Sequence, residues 1–128
     1  MSNTAIAASF FDALAREDEQ ALRAICARDF KPQQNGAPPL TLDALLGFAK
    51  AVHAVLKDFQ YADPVCSATK TGFVQEHSVR GTLPNGAAVD LAVCVVGDIS
   101  GERLVAAREY FDSASASELL AELGNRPG

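Results

Sequence analysis

The hydrophobic period of this chain changes once, close to residue 58, and that change limits the fold more than any other feature. Before it, apolar residues recur at helical spacing; after it, they alternate. Ile6, Phe10, Ala13 and Leu14 share one helical face, and Asn3 or Thr4 stands where a cap is needed. The spacing predicts a second, short helix over Asp18–Cys26, capped by Asp18 and striped by Leu22, Ile25 and Cys26. Lys31–Pro39 (KPQQNGAPP) reads as a loop, because Pro, Asn and Gly punctuate it. A third helix opens at Thr41 and runs to Lys57, with Leu42, Leu45, Leu46, Ala49, Val52 and Leu56 inward.

From Phe59 the pattern is strand after strand. Phe59–Ser67 is interrupted near Pro64, which marks an edge strand or a bulge. Gly72–Leu83 and Ala87–Asp98 flank Pro84-Asn85-Gly86, a hairpin signal because Asn-Gly reaches positive φ at little cost. A second turn falls at Asp98–Gly101, and a fourth strand covers Glu102–Asp112. Ser115 or Ser117 then caps a short helix carrying Leu119, Leu120 and Leu123, and Asn125–Gly128 reads as a frayed tail. The expectation is an α+β fold in a single domain over residues 1–124. N-terminal helices lie on a strongly curved, mixed or antiparallel sheet, and a short helix closes the chain.

Composition narrows the function. A net charge of −5 argues against a nucleic-acid surface. Two histidines cannot build a polyhistidine metal centre, and three widely spaced cysteines are neither a zinc set nor a disulfide framework. No metal and no cofactor are therefore expected. The longest apolar run, Leu91–Val96, is far too short to cross a membrane, and the first 18 residues lack a basic, then apolar, leader. A cytoplasmic protein with reduced thiols is the expectation. Walker, GxGxxG, HExxH, GxSxG and EF-hand patterns are all absent.

Alternation assigns faces. On the third strand Val89, Leu91, Val93 and Val95 share one side and Ala92, Cys94 and Val96 the other, so both sides are apolar. One meets the helices; a second copy of the chain is the simplest cover for the other.

What remains for chemistry is a few polar residues among apolar ones. Glu109 is in register with Val105, Ala107 and Phe111, where desolvation would raise its pKa and make it a useful base. The alternative is a face open to water, or a pairing with a nearby arginine. Glu76 and Ser78 alternate with Val74 on the second strand, with Arg80 beyond. If that side faces the same cavity, two carboxylates converge; the alternative is a solvated face of cross-strand charge pairs. His53 sits on the apolar side of the third helix, as an acid–base partner or as a hydrogen-bonded boundary residue. His77 alternates away from Glu76 and reads as structural or interfacial. Tyr61 and Tyr110 are potential donors, Tyr110 out of register with Glu109, and Arg16–Glu19 reads as a solvated helix junction.

The run VRGTLPNGAAVDLAVCVVGDISGERLVAAREYFD (residues 79–112) resembles the SnoaL-like branch of the nuclear transport factor 2-like superfamily. Its turn is Pro84-Asn85-Gly86, its last strand starts at Gly101-Glu102-Arg103-Leu104, and its ending is Arg108-Glu109-Tyr110-Phe111-Asp112. Phe10–Asp18 (FFDALARED) is similar to that family's opening helix. The resemblance implies a cone: three helices close the mouth of a bent sheet around an apolar pocket, and the outer face makes a dimer. Members include polyketide cyclases, limonene-type epoxide hydrolases and ketosteroid isomerases. Glu109 falls at the acidic position of the cyclases and epoxide hydrolases. The hydrolases' Arg-x-Asp falls at Glu76 and Ser78, so that water-activating set is missing. The cyclases' supporting polar residue falls near Val93 or Val95, and the isomerases' phenol near Phe10 or Phe11. No named activity transfers intact.

The combined expectation is a homodimer that binds a small apolar molecule between the third helix and the sheet, against Phe10, Leu46, Val74, Ser78, Val93, Val95, Ala107 and Phe111. Glu109 would move a proton on that ligand, assisted by Glu76, Ser78 or His53. The alternative is a non-catalytic small-molecule-binding or dimerisation module. An enclosed Glu109 without a basic partner favours the first; a surface ion pair with Arg108 or Arg80 favours the second.

Overall fold

The computed structural model describes residues 1–124; the tail at Asn125–Gly128 lies outside the described residues. Helix α1 (Asn3–Ala15) is capped by Ser2, whose Oγ accepts the Ala5 N–H, one residue earlier than expected. Helix α2 (Glu19–Ile25) is capped by Asp18, as the sequence implies. Helix α3 (Leu42–Val55) starts under the Thr41 hydroxyl and stops two residues short of Lys57.

Between α2 and α3 lies the main departure. Cys26–Gln34 is a strand, β1, and takes in the first four residues of the expected loop. Its inward residues Cys26, Phe30 and Pro32 are buried, but three apolar side chains among charged and amide residues make a weak alternating signal. Pro32 is tolerated because β1 is an edge strand. The chain turns away at Asn35-Gly36, both at positive φ (47° and 73°).

Strands β2 (Lys57–Ala68), β3 (Gly72–Thr82), β4 (Ala88–Ser100) and β5 (Arg103–Phe111) follow, then helix α4 (Ser117–Gly124). The sheet order is β1-β5-β4-β3-β2, with β1 parallel to β5 and every other pair antiparallel. The sheet is therefore mixed and open, with β1 and β2 as its edges. Pro64 sits at the expected bulge, where the β2–β3 register slips between Ala62 and Val65. The β4–β5 hairpin turns at Gly101-Glu102, later than expected, with both residues at positive φ (57° and 64°).

Near the start of β3 the ladder carries one close packing contact. The Phe73 ring, fully buried, lies across Gly97 on β4, where an added Cβ would come within 2.2 Å of the ring. Only glycine lets an aromatic ring cross the strand this closely. The core then fills the concave side: Ile6, Leu22, Leu56, Phe73 and Leu104 are all at most 2% exposed. Among the described residues no helix is long and apolar enough to cross a membrane.

Candidate functional site

Along β5 the inward side chains are Leu104, Ala107, Glu109 and Phe111; across the ladder Glu109 faces Val95, and Phe111 faces Val93. The helices roof this concave surface and leave a cavity of ≈ 100 Å³. Its wall is mostly rings and branched aliphatics: Phe10 and Phe11 from α1, Phe48 and Val52 from α3, Phe59 and Tyr61 from β2, and Leu119 from α4. Glu109 is a carboxyl group set into that apolar wall.

Strand β1 supplies its partner. The parallel register brings Gln34 beside Glu109, and Gln34 Nε2 donates to Glu109 Oε1 at 3.0 Å. Asn35 locks the same corner: its N–H donates to the Glu109 carbonyl at 2.8 Å, and its Oδ1 accepts the Phe111 N–H at 3.0 Å. Burial pushes the Glu109 carboxyl above its ordinary range, and the Gln34 hydrogen bond pulls back part of that rise. Among the described residues no cation reaches it. Arg108 points to the outer face and grips Asp98 at 2.7 and 3.4 Å, while Arg80 holds Asp63 at 2.9 Å and Asp90 at 3.2 Å.

Of the residues expected in the pocket, Phe10, Val93, Val95, Ala107, Phe111, Glu109 and His53 line it. Leu46 is buried in the core behind the wall, and its neighbours Leu45, Phe48 and Ala49 face the cavity instead. Val74, Glu76 and Ser78 are placed differently: they lie on the convex face of β3, paired with Val96, Cys94 and Ala92, so Glu76 does not meet Glu109. The inward set on β3 is Phe73, Gln75, His77 and Val79. The large hydrophobes Phe73 and Val79, in phase with Gln75 and His77, carried that signal; the valine at 74 misdirects it.

His53 lines the cavity but its ring nitrogens are occupied. Nδ1 lies 2.8 Å from the Ala49 carbonyl and Nε2 3.1 Å from the Ala15 carbonyl, while the ring packs on Phe59 at 4.3 Å. Its ring thus lines the cavity while its nitrogens lie against the backbone of α3 and the end of α1. Gln34 is the residue that sequence reasoning missed, since a polar run ending in Asn-Gly carries a turn signal and nothing else. His77 belongs with it. Its Nδ1 meets Gln75 Nε2 at 3.1 Å, its ring packs against Phe11 and Tyr61, and burial drops its pKa to about 4.

Fold and site together define a class: an α+β cone whose open sheet and helices line a small, partly open apolar chamber with one carboxyl group in its wall. No family model and no curated protein matches the chain. Solved structures do. IdmH from Streptomyces antibioticus, a proposed polyketide cyclase, superposes with a TM-score of 0.81 at 18% identity, over 97% of this chain and 99% of that one. A proposed polyketide cyclase from Xanthomonas campestris pv. campestris gives 0.76 at 21% identity over 94% and 96%. An LEH-like epoxide hydrolase of M. tuberculosis gives 0.72 at 18% identity over 95% and 92%. The chain thus has the NTF2-like cone fold to which its C-terminal third pointed.

Proposed function

We propose that this protein binds a small, largely apolar molecule in the cone and moves a proton on it, with Glu109 as the acid–base group. One observation carries the reading: Glu109 lines an apolar cavity that is partly open and is held by an amide, with no cation among the described residues. A carboxyl group in that setting is more basic than in water and has one oxygen free to take a proton. Proton abstraction beside a carbonyl uses such a base and needs no activated water. Hydrolysis would need a second group to activate water, and Glu76 is on the far side of the sheet. The solved relatives named as cyclases and as an epoxide hydrolase share the fold, and a cyclase- or isomerase-like step suits this site better. The test is exchange of the α-protons of cyclohexanone in deuterated water, followed by NMR. The wild-type protein should accelerate it, and Glu109→Gln should lose about 10²–10⁴-fold of that rate. Equal rates for the two proteins would leave a binding module without catalysis.

We further infer that a second copy covers the outer sheet face. Val65, Glu76, Cys94 and Tyr110 form one row across four strands, and Ser67, Val74, Val96 and Arg108 the next. Val65 is 66% exposed and Tyr110 45%, an apolar strip that water would otherwise meet. Sedimentation should give a dimer for the wild type and a monomer for the Val65→Lys, Tyr110→Lys double variant; a monomeric wild type rules the dimer out. Three unpaired thiols, Cys26, Cys66 and Cys94, fit a reducing compartment, so the reading places the protein in the cytoplasm, which cell fractionation tests.

A further inference from the structure

Two asparagine–glycine pairs stand in exposed turns of this fold, Asn35-Gly36 after β1 and Asn85-Gly86 between β3 and β4. Such a pair can react with itself. Glycine has no Cβ, so its backbone nitrogen can approach the amide carbon, Cγ, of the asparagine before it. Attack there closes a cyclic imide. Both turns leave room for the approach: an added Cβ at Gly36 or Gly86 would meet nothing within 4 Å. Both also hold the asparagine Oδ1, which accepts the Phe111 N–H at 3.0 Å in the first turn and the Ala87 N–H at 2.9 Å in the second. Charge gathers on that oxygen as the ring closes, so a donor aimed at it favours the step.

The two turns differ in phase by one residue. In the first, the Ala37 N–H donates to the Gln34 carbonyl at 2.9 Å, which makes Asn35 and Gly36 the central residues. The Gly36 N–H stays outside that bond and has no acceptor among the described residues. In the second, Gly86 closes the turn, and its own N–H donates to the Leu83 carbonyl at 2.9 Å. The nitrogen that must attack is thus free after β1 and tied between β3 and β4.

We propose that Asn35 is a self-modification site, at which the folded protein converts asparagine to aspartate and isoaspartate ahead of Asn85. The Gly36 nitrogen bonds to Cγ of Asn35, and the side-chain NH₂ leaves with the Gly36 proton as ammonia. Water, the only co-reactant, then opens the imide. Cleavage of the new N–Cγ bond gives aspartate. Cleavage of the original peptide C–N bond gives isoaspartate, with the main chain running through Cγ.

The position of Asn35 gives the change its weight. Its N–H donates to the Glu109 carbonyl at 2.8 Å and its Oδ1 holds Phe111, so it clasps the segment of β5 that carries the carboxyl group of the cavity. Either product sets a negative charge one residue from Gln34, the amide that holds Glu109, and like charge opposes a second ionised carboxylate. Isoaspartate also adds a main-chain carbon inside the Gln34–Ala37 turn.

The experiment keeps the whole protein in mildly alkaline heavy-oxygen water, folded in buffer or unfolded in urea. Samples taken over time are digested and read by mass spectrometry, where the isotope marks each new carboxylate. In the folded protein Asn35 should convert about 2–10-fold faster than Asn85, because freeing the Gly86 N–H costs one net hydrogen bond. In urea, where neither turn is held, the two rates should converge. Both sites are read in one molecule, so the comparison needs no variant. Equal rates in the folded protein, a faster Asn85, or the same ratio in urea as in buffer each overturn the proposal.

Discussion

Replacing Gln34 with leucine tests the physical basis of the site without touching the carboxyl group itself. The leucine keeps most of the side-chain volume against the cavity wall and removes the only donor to the Glu109 carboxyl group among the described residues. A hydrogen bond to a charged group contributes about 1.5–3 kcal/mol, and one between neutral groups about 0.5–1.5 kcal/mol. The amide can serve either form of Glu109, donating to the carboxylate or accepting from the acid. Gln34→Leu should therefore cost about 1–1.5 kcal/mol more when Glu109 is ionised than when it is protonated. Because burial raises the Glu109 pKa, the folded protein holds the acid form up to a higher pH than an exposed carboxyl group would, and the ionised form gains only above the ordinary carboxylate range. Urea unfolding of both proteins at about pH 4 and about pH 8.5 reads the difference directly, since each is compared with the wild type at the same pH. A cycle with Glu109→Gln separates the pair from its surroundings. Equal destabilisation at the two pH values, or a cycle with no coupling energy, would refute the claim that Gln34 holds the Glu109 charge.

Other outcomes follow from the same structure. Raised folded-state pKa means that Glu109 favours the folded state most below the ordinary carboxylate range, and that this advantage is lost as pH rises through the raised value. Melting curves should therefore show Glu109→Gln gaining on the wild type as pH increases; a gain on acidification has the wrong sign. His77 runs the other way: with its pKa lowered to about 4, it favours folding above its unfolded value of about 6.5 and loses about 3 kcal/mol on the way down to about pH 4. A His77→Gln variant should lack that share of the acid destabilisation, read as a flatter stability–pH curve. Gly97→Ala should cost at least about 1–3 kcal/mol by denaturant titration, because the Phe73 ring has to leave its place over the strand. His53→Leu should speed hydrogen exchange at the end of α1, where the Ala15 carbonyl loses its strap.

How much of this was legible beforehand depends on where each signal came from. Helices α1 and α3 and the antiparallel strands announce themselves through periodicity, since each buries one stripe or one face. Glu109 was legible for the same reason, a charged residue in phase with Ala107 and Phe111. Strand β1 was not, because it is an edge strand with three inward apolar positions and a Pro-Gln-Gln-Asn-Gly ending that turn chemistry explains equally well. Losing β1 meant losing Gln34, and with it the partner that orients Glu109. The face of β3 was misassigned because its inward side carries Gln75 and His77, polar residues whose burial depends on each other and on the rings of Phe11 and Tyr61. Local pattern cannot report a polar pair that only tertiary packing accounts for.

The parallel pairing of β1 with β5 also sets when the molecule becomes complete. Gln34 and Glu109 are 75 positions apart, and the strands between them include the whole antiparallel ladder. A contact of that separation closes late, after the hairpins that join neighbouring strands have formed. During synthesis the first third of the chain leaves the ribosome holding one half of the corner and waits for almost the entire remainder before the other half emerges. Until then the first edge of the sheet has no neighbour and the chamber no floor. The Gln34–Glu109 corner is thus a property of the finished fold, acquired at its final docking step.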